Sequence, residues 1–107
     1  MNVKQETLFE KALELLKELI ATPSFSSEED KTADAIEAWL NDFGVATQRQ
    51  DNNVYAFNKY YEEGKTTLLL NSHHDTVRPN TAYTKDPFHA HVEDGKLFGL
   101  GSNDAGG

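Results

Sequence analysis

Residues Leu68-Leu69-Leu70-Asn71-Ser72-His73-His74-Asp75-Thr76-Val77 run an apolar strand candidate straight into two imidazoles and a carboxylate. Strand ends in α/β proteins are where sites are built, because the ladder stops there and side chains project into a crevice. His73-x-Asp75 is a chemically matched pair. One ring nitrogen can take a divalent metal while the carboxylate accepts the other N–H and fixes the ring. A second carboxylate, Asp104, follows on the glycine-shaped loop Gly99-Leu100-Gly101-Ser102-Asn103-Asp104. An imidazole and a carboxylate are zinc-type donors, but two of them do not complete a coordination shell. The candidates are therefore His73 and Asp104 for metal and Asp75 for catalytic support. Together they predict part of the site of a metal-dependent hydrolase.

Other chemically suggestive residues read more simply. His74 lies between His73 and Asp75 and points elsewhere on an extended backbone, so it is a pocket-wall or structural residue. His89 and His91 share a strand face and could chelate, but with no third ligand nearby they read as surface histidines. Gly99-x-Gly101 lacks the third glycine of a dinucleotide fingerprint and leads to an aspartate that would repel a pyrophosphate. Asp86-Pro87-Phe88 is a turn with an anchored aromatic, and Tyr60-Tyr61 a partly buried pair. Glu28-Glu29-Asp30 suits the first turn of a helix, where the macrodipole favours negative charge.

The elements that must position these residues follow from periodicity. Residues 5–21 predict an amphipathic helix, with Leu8, Phe9, Ala12, Leu13, Leu16, Leu19 and Ile20 on one face. Thr22-Pro23 ends it, because proline pushes the preceding residue out of the α region. Ser26, three residues before Glu29, predicts a capping-box start for a second helix with Ala33, Ile36, Trp39, Leu40 and Phe43 as its apolar stripe. Gly44 falls where a C′ glycine belongs. Strands are expected over 45–50, 53–58 and 66–71, with turns at Asp51-Asn52 and Glu62-Glu63-Gly64. Leu68-Leu69-Leu70 is apolar without alternation, as in a strand covered on both faces. Residues 76–87 read as loop. His89–Val92 and Lys96–Phe98 flank Asp94-Gly95, a strong hairpin signal that delivers the chain to Gly99. Helices followed by strands, with the site at strand ends, give an α/β fold class. Two helices are too few to dress a central sheet on both faces.

Composition bounds the function. A chain of 107 residues holds one small domain with a modest core. At 37% hydrophobic and 26% charged it is ordinary for a globular protein, so disorder is not its main description. Eighteen acidic residues against ten basic ones give a net charge of −8, which argues against nucleic acid and anionic membrane surfaces. There is no cysteine, so no disulfide, thiolate ligand or cysteine nucleophile. No apolar run would span a bilayer, and Met1-Asn2-Val3-Lys4-Gln5-Glu6 lacks a signal-peptide layout, so a cytoplasmic location is expected.

The series His73-x-Asp75-Thr76-Val77, Asp86-Pro87-Phe88 and Asp94-Gly95-x-Leu97-x-Gly99-x-Gly101-x-x-Asp104 resembles the N-terminal third of the M20 metallopeptidase and deacetylase family. The resemblance implies that residues 1–107 are the N-terminal portion of one catalytic domain of the three-layer zinc-peptidase kind, two helices and then strands of a mixed sheet. The lid or dimerisation domain would be absent. It implies a two-zinc site, with cobalt as the alternative, in which His73 binds one metal, Asp75 orients His73 and Asp104 bridges both. The general base would be a glutamate beyond Gly107. The implied activity is removal of the acyl group from a small-molecule N-acyl amino acid, N-acetylornithine of arginine biosynthesis first. N-acetyl- or N-succinyl-citrulline, succinyl-diaminopimelate and peptides are the alternatives. No nucleic acid or membrane partner is implied, and the full-length form would be a homodimer. Two departures bear on the subfamily: Leu100 stands where an arginine is frequent, and Ala105-Gly106 where Met-Lys is frequent. The 107-residue chain alone is expected to be inactive. A reading of another class is a self-associating fragment with at most weak metal binding.

Overall fold

The structure, a computed structural model, describes residues 3–106. Two helices come first, α1 (Val3–Ala21) and α2 (Asp30–Asp42). Two hairpins follow: β1 (Gln48–Gln50) with β2 (Asn53–Tyr55), and β3 (His91–Glu93) with β4 (Lys96–Phe98). Both are antiparallel, and they form two separate two-stranded sheets. α1 packs on α2, and α2 packs on β2. No helix among the described residues is long and apolar enough to cross a membrane.

The ends of the elements show why they form where they do. α1 stops before Pro23, where the Thr22 hydroxyl donates to the Glu18 carbonyl at 2.9 Å. Its apolar face is buried only toward the C-terminus: Ile20 is buried, while Leu8 and Phe9 are half exposed. α2 ends in a Schellman arrangement. Gly44 takes φ +75°, its N–H reaches the Asn41 carbonyl at 2.9 Å, and the Val45 N–H reaches Leu40 at 3.1 Å. At the hairpin tips Asp51 adopts φ +54°, and Asp94 and Gly95 adopt +52° and +73°, the left-handed turn their residue types favour. Arg49 ties the first hairpin to α2 through Asp34 at 2.8 Å and Glu37 at 3.5 Å.

Two expectations are corrected. The helix-2 start is not a capping box: α2 begins at Asp30, Glu29 is its N-cap, and no side chain caps it. Ser26 is turned instead toward Asp75. The expected strand over 66–71 does not form, and there is no mixed sheet among the described residues. Leu68, Leu69 and Leu70 are 83%, 82% and 85% exposed. A strand is defined by its pairing partner, and no strand among the described residues pairs with this segment.

The core lies where the end of α1 meets the start of α2, at Ile20, Ser24, Thr32 and Ala33. Gly99 docks the exit of the second hairpin here. A Cβ at that position would come within 2.5 Å of the Ile20 side chain, so only glycine lets the backbone approach so closely. An open cleft of about 770 Å³ lies between the helices and β2, with Leu16, Leu19, Ile36, Leu40, Val54 and Leu69 among its lining.

Candidate metal centre

The segment carrying the two histidines is held by the loop between the helices. The Thr76 N–H donates to the Ser24 carbonyl at 2.7 Å, within an isolated parallel bridge between Phe25 and Thr76. The buried Ser24 hydroxyl donates to the His74 carbonyl at 2.8 Å. These bonds set an extended backbone, so neighbouring side chains diverge. The His74 ring turns inward: Nε2 donates to the Asn52 carbonyl at 3.0 Å and Nδ1 lies 2.7 Å from the Thr32 hydroxyl. His73 turns outward.

There His73 meets a carboxylate at each ring nitrogen. Nδ1 is 3.0 Å from Asp75 Oδ1 and 3.2 Å from the Asp75 carbonyl. Nε2 is 2.9 Å from Asp104 Oδ1. Asp104 is delivered by the glycine loop after β4. Gly101, at φ +87°, passes so close to Thr76 that a Cβ would sit 2.9 Å from its methyl group. The turn closes with Ser102 N–H to Gly99 at 3.1 Å and Gly106 N–H to Gly101 at 2.9 Å. The three side chains, with Ser26, Thr76 and Leu100, line a recess of about 180 Å³. The structure thus brings Asp104, 31 residues further along the chain, to the ring nitrogen of His73 opposite the one that faces Asp75.

Both ring nitrogens face acceptor oxygens, so the metal-free arrangement suits a doubly protonated imidazole. The His73 pKa is accordingly raised, first by the Asp75 backbone carbonyl and then by the Asp104 side chain. The Asp75 pKa is lowered, chiefly by the hydrogen bond from Ser26 and then by His73. A metal cation held by Nε2 and Asp104 would take the place of the proton between them. One imidazole nitrogen and one carboxylate fit part of a zinc shell. Among the described residues, no three His, Asp or Glu side chains converge as a cage, so the fit is to a share of a site.

The remaining candidates stay apart from this point. The His89 and His91 rings stack at 6.3 Å, and His91 pairs with Glu93 at 3.2 Å on the second hairpin. The Asp86 carboxylate accepts the Phe88 N–H at 2.9 Å, and Phe88 rests 6.1 Å from Phe25, a turn with an anchored aromatic. Tyr60 and Tyr61 are exposed, not partly buried. Sequence reasoning missed Ser26 at the site. It is 49 residues from Asp75, and its type and position also suited a helix cap, so no local signal distinguished the two roles.

A helix pair and short hairpins that set an imidazole between two carboxylates define a small α/β unit with a polar, partly open recess. Over its whole length the chain is similar to acetylornithine deacetylase of Proteus mirabilis (strain HI4320), 36% identical over 119 residues and spanning 30% of that protein. It is similar also to acetylornithine deacetylase of Edwardsiella ictaluri (strain 93-146), 32% identical, covering 87% of this chain and 27% of the relative. A third, acetylornithine deacetylase of Pectobacterium carotovorum subsp. carotovorum (strain PC1), is 36% identical, covering 89% of this chain and 28% of the relative. The chain therefore spans about three-tenths of the length of the curated relatives it matches. No family model matches it.

Proposed function

We propose that this chain supplies part of the metal site of an amidohydrolase that removes the acetyl group from an N-acetylated amino acid, N-acetylornithine first. The observation that carries the reading is His73 held between two carboxylates, Asp75 at Nδ1 and Asp104 at Nε2. The names of the relatives support the substrate class. His73 Nε2 and Asp104 would hold the metal, zinc or cobalt, a pair of ions in the whole protein. When bound, such a pair acidifies a water and polarises the acyl carbonyl.

The chain's own residues do the following. Asp75 accepts the Nδ1 proton, so the Nε2 lone pair is presented to the recess. Asp104 brings anionic charge to the same point from a loop whose glycines let it pass against Thr76. Neither carboxylate is free to carry a proton from water, since Asp75 is committed to His73 and Asp104 to the cation. No further carboxylate lines the recess among the described residues. The resemblance implies that the general base is a glutamate outside these 107 residues, so the chain by itself is expected to turn over no substrate.

Calorimetric titration tests this. Zinc or cobalt should bind the chain weakly, and binding should disappear in His73→Ala and Asp104→Ala. In a protein with the complete ligand set, the same substitutions should abolish N-acetylornithine hydrolysis. Asp75→Asn should keep some metal and lose roughly 10–100-fold in affinity or rate, because it disturbs ligand orientation without removing a donor. Identical isotherms for all four proteins would sink the metal reading.

A further inference from the structure

We propose that Ser26 is a positioning residue: its hydroxyl fixes the Asp75 carboxylate and, through it, the His73 ring that presents Nε2 to Asp104. This deepens the metal reading and rests on it for its functional meaning. Asp75 has two oxygens, and each is used. Oδ2 accepts from the Ser26 hydroxyl at 2.5 Å, and Oδ1 faces His73 Nδ1 at 3.0 Å. The last torsion of an aspartate is broad and soft, so a carboxylate bonded through one oxygen still swings. Bonded through both, its plane is set, and the ring bonded to it is set as well.

Ser26 reaches this place without depending on its own hydrogen bond. The loop on which it sits is laced to residues 74–78 from both sides. Before it, Ser24 accepts the Thr76 N–H at 2.7 Å and donates to the His74 carbonyl at 2.8 Å. Around it, the Arg78 guanidinium lies 4.5 Å over the Phe25 ring and pairs with Glu28 at 3.3 Å. Ser27 adopts φ +70°, a conformation an L-residue takes only where its surroundings demand it. The hydroxyl has no helix end to serve, since α2 starts four residues later without a side-chain cap. Removing it should therefore free Asp75 and leave the loop docked. The downward pull on the Asp75 pKa, led by Ser26, agrees with a bond made to the charged carboxylate.

The test is ¹⁵N imidazole NMR on the metal-free 107-residue chain at alkaline pH, where the rings are neutral. The Asp75 oxygens favour the proton on Nδ1 and Asp104 favours it on Nε2, so wild-type His73 should hold both forms, with a larger Nδ1–H share than a free imidazole has. Ser26→Ala should shift it toward the Nε2–H form that an unconstrained imidazole favours. Ser26→Thr, which keeps the hydroxyl, should restore the wild-type spectrum. Protection of the Thr76 amide from exchange reports whether the loop stays docked. An unchanged His73 spectrum in Ser26→Ala overturns the proposal. So does a shift accompanied by loss of Thr76 protection, which would make Ser26 a mere docking contact, or a Ser26→Thr variant that behaves like Ser26→Ala. Zinc titration of the same samples should show about a 10-fold loss of affinity in Ser26→Ala. A wild-type chain that binds no zinc but shows the expected tautomer shift would sink the metal reading and leave the positioning role standing.

Discussion

His73 has acceptors on both sides, and the consequence is a competition between a proton and a metal. The Asp75 carbonyl and the Asp104 carboxylate lead the causes that raise its pKa above the ordinary 6.5. A raised histidine pKa means that the stabilising contacts of the imidazolium are fully present below the ordinary value. They are lost as pH rises through the raised one. Asp75 has the opposite sign: its contribution is present above the ordinary 3.8 and is lost as pH falls through its depressed value. Both groups are solvent-accessible, so their effect on global stability is small. Their effect on metal binding is not small, because a bound metal must displace the Nε2 proton. Zinc affinity should therefore start to fall, on acidification, at a pH above the ordinary histidine value. Asp104→Asn should lower the His73 midpoint in an NMR titration, because it takes away the carboxylate at Nε2. An unchanged midpoint would show that Asp104 does not face His73 in solution.

At the scale of elements, the termini decide what was legible. At φ +75° Gly44 makes one end-of-helix bond and lets Val45 make the other, and a Cβ there would touch nothing within 4 Å. Gly44→Ala therefore isolates the backbone cost of a left-handed L-residue, about 1 kcal/mol. For a domain of this size that is a fall of roughly 5 °C in Tm. An unchanged melting curve would mean that the helix end frays in solution. Gly44, Asp51-Asn52 and Asp94-Gly95 were readable because each signal acts through its own φ and needs no distant partner. The strands at their flanks were readable for the same reason, though they are shorter than expected: β1 and β2 stop at three residues each. The capping role of Ser26 was misread because a serine hydroxyl bonds whichever strong acceptor is near. Here that is Asp75, brought close by the chain's return at residues 74–76. Of the candidate site, residue chemistry singled out His73, Asp75 and Asp104, and the structure sets both carboxylates against the His73 ring. Ser26 was not legible, because its partner is set by tertiary contacts alone.

For the whole molecule, the balance of buried and exposed apolar surface points to association. Among the described residues, Ile20 and Ala33 are the buried hydrophobic side chains. Leu68, Leu69 and Leu70 stand more than four-fifths exposed in one run. Burying each leucine is worth about 1.5–3 kcal/mol, so covering this run would stabilise the chain by an amount comparable to its whole folding free energy. The segment also has the composition of a strand with no partner, and unpaired strands recruit the edges of others. Tyr55 and Phe57, both exposed, extend the apolar surface along the end of β2. Charge opposes association only weakly: a net −8 is spread over the surface, while residues 66–71 carry no charge at all. The 107-residue chain should therefore show a mass that grows with concentration by light scattering. Replacing Leu68 and Leu70 with lysine should return it to a monomer, by adding charge and removing the apolar surface together. The site lies one residue past Asn71 and Ser72, so the lysine variant should keep its zinc isotherm if Thr76, anchored to Ser24, sets the position of His73 from the other side. A wild-type chain that is monomeric at every concentration, or a lysine variant that still associates, would place the sticky surface elsewhere and leave the leucine run without a role.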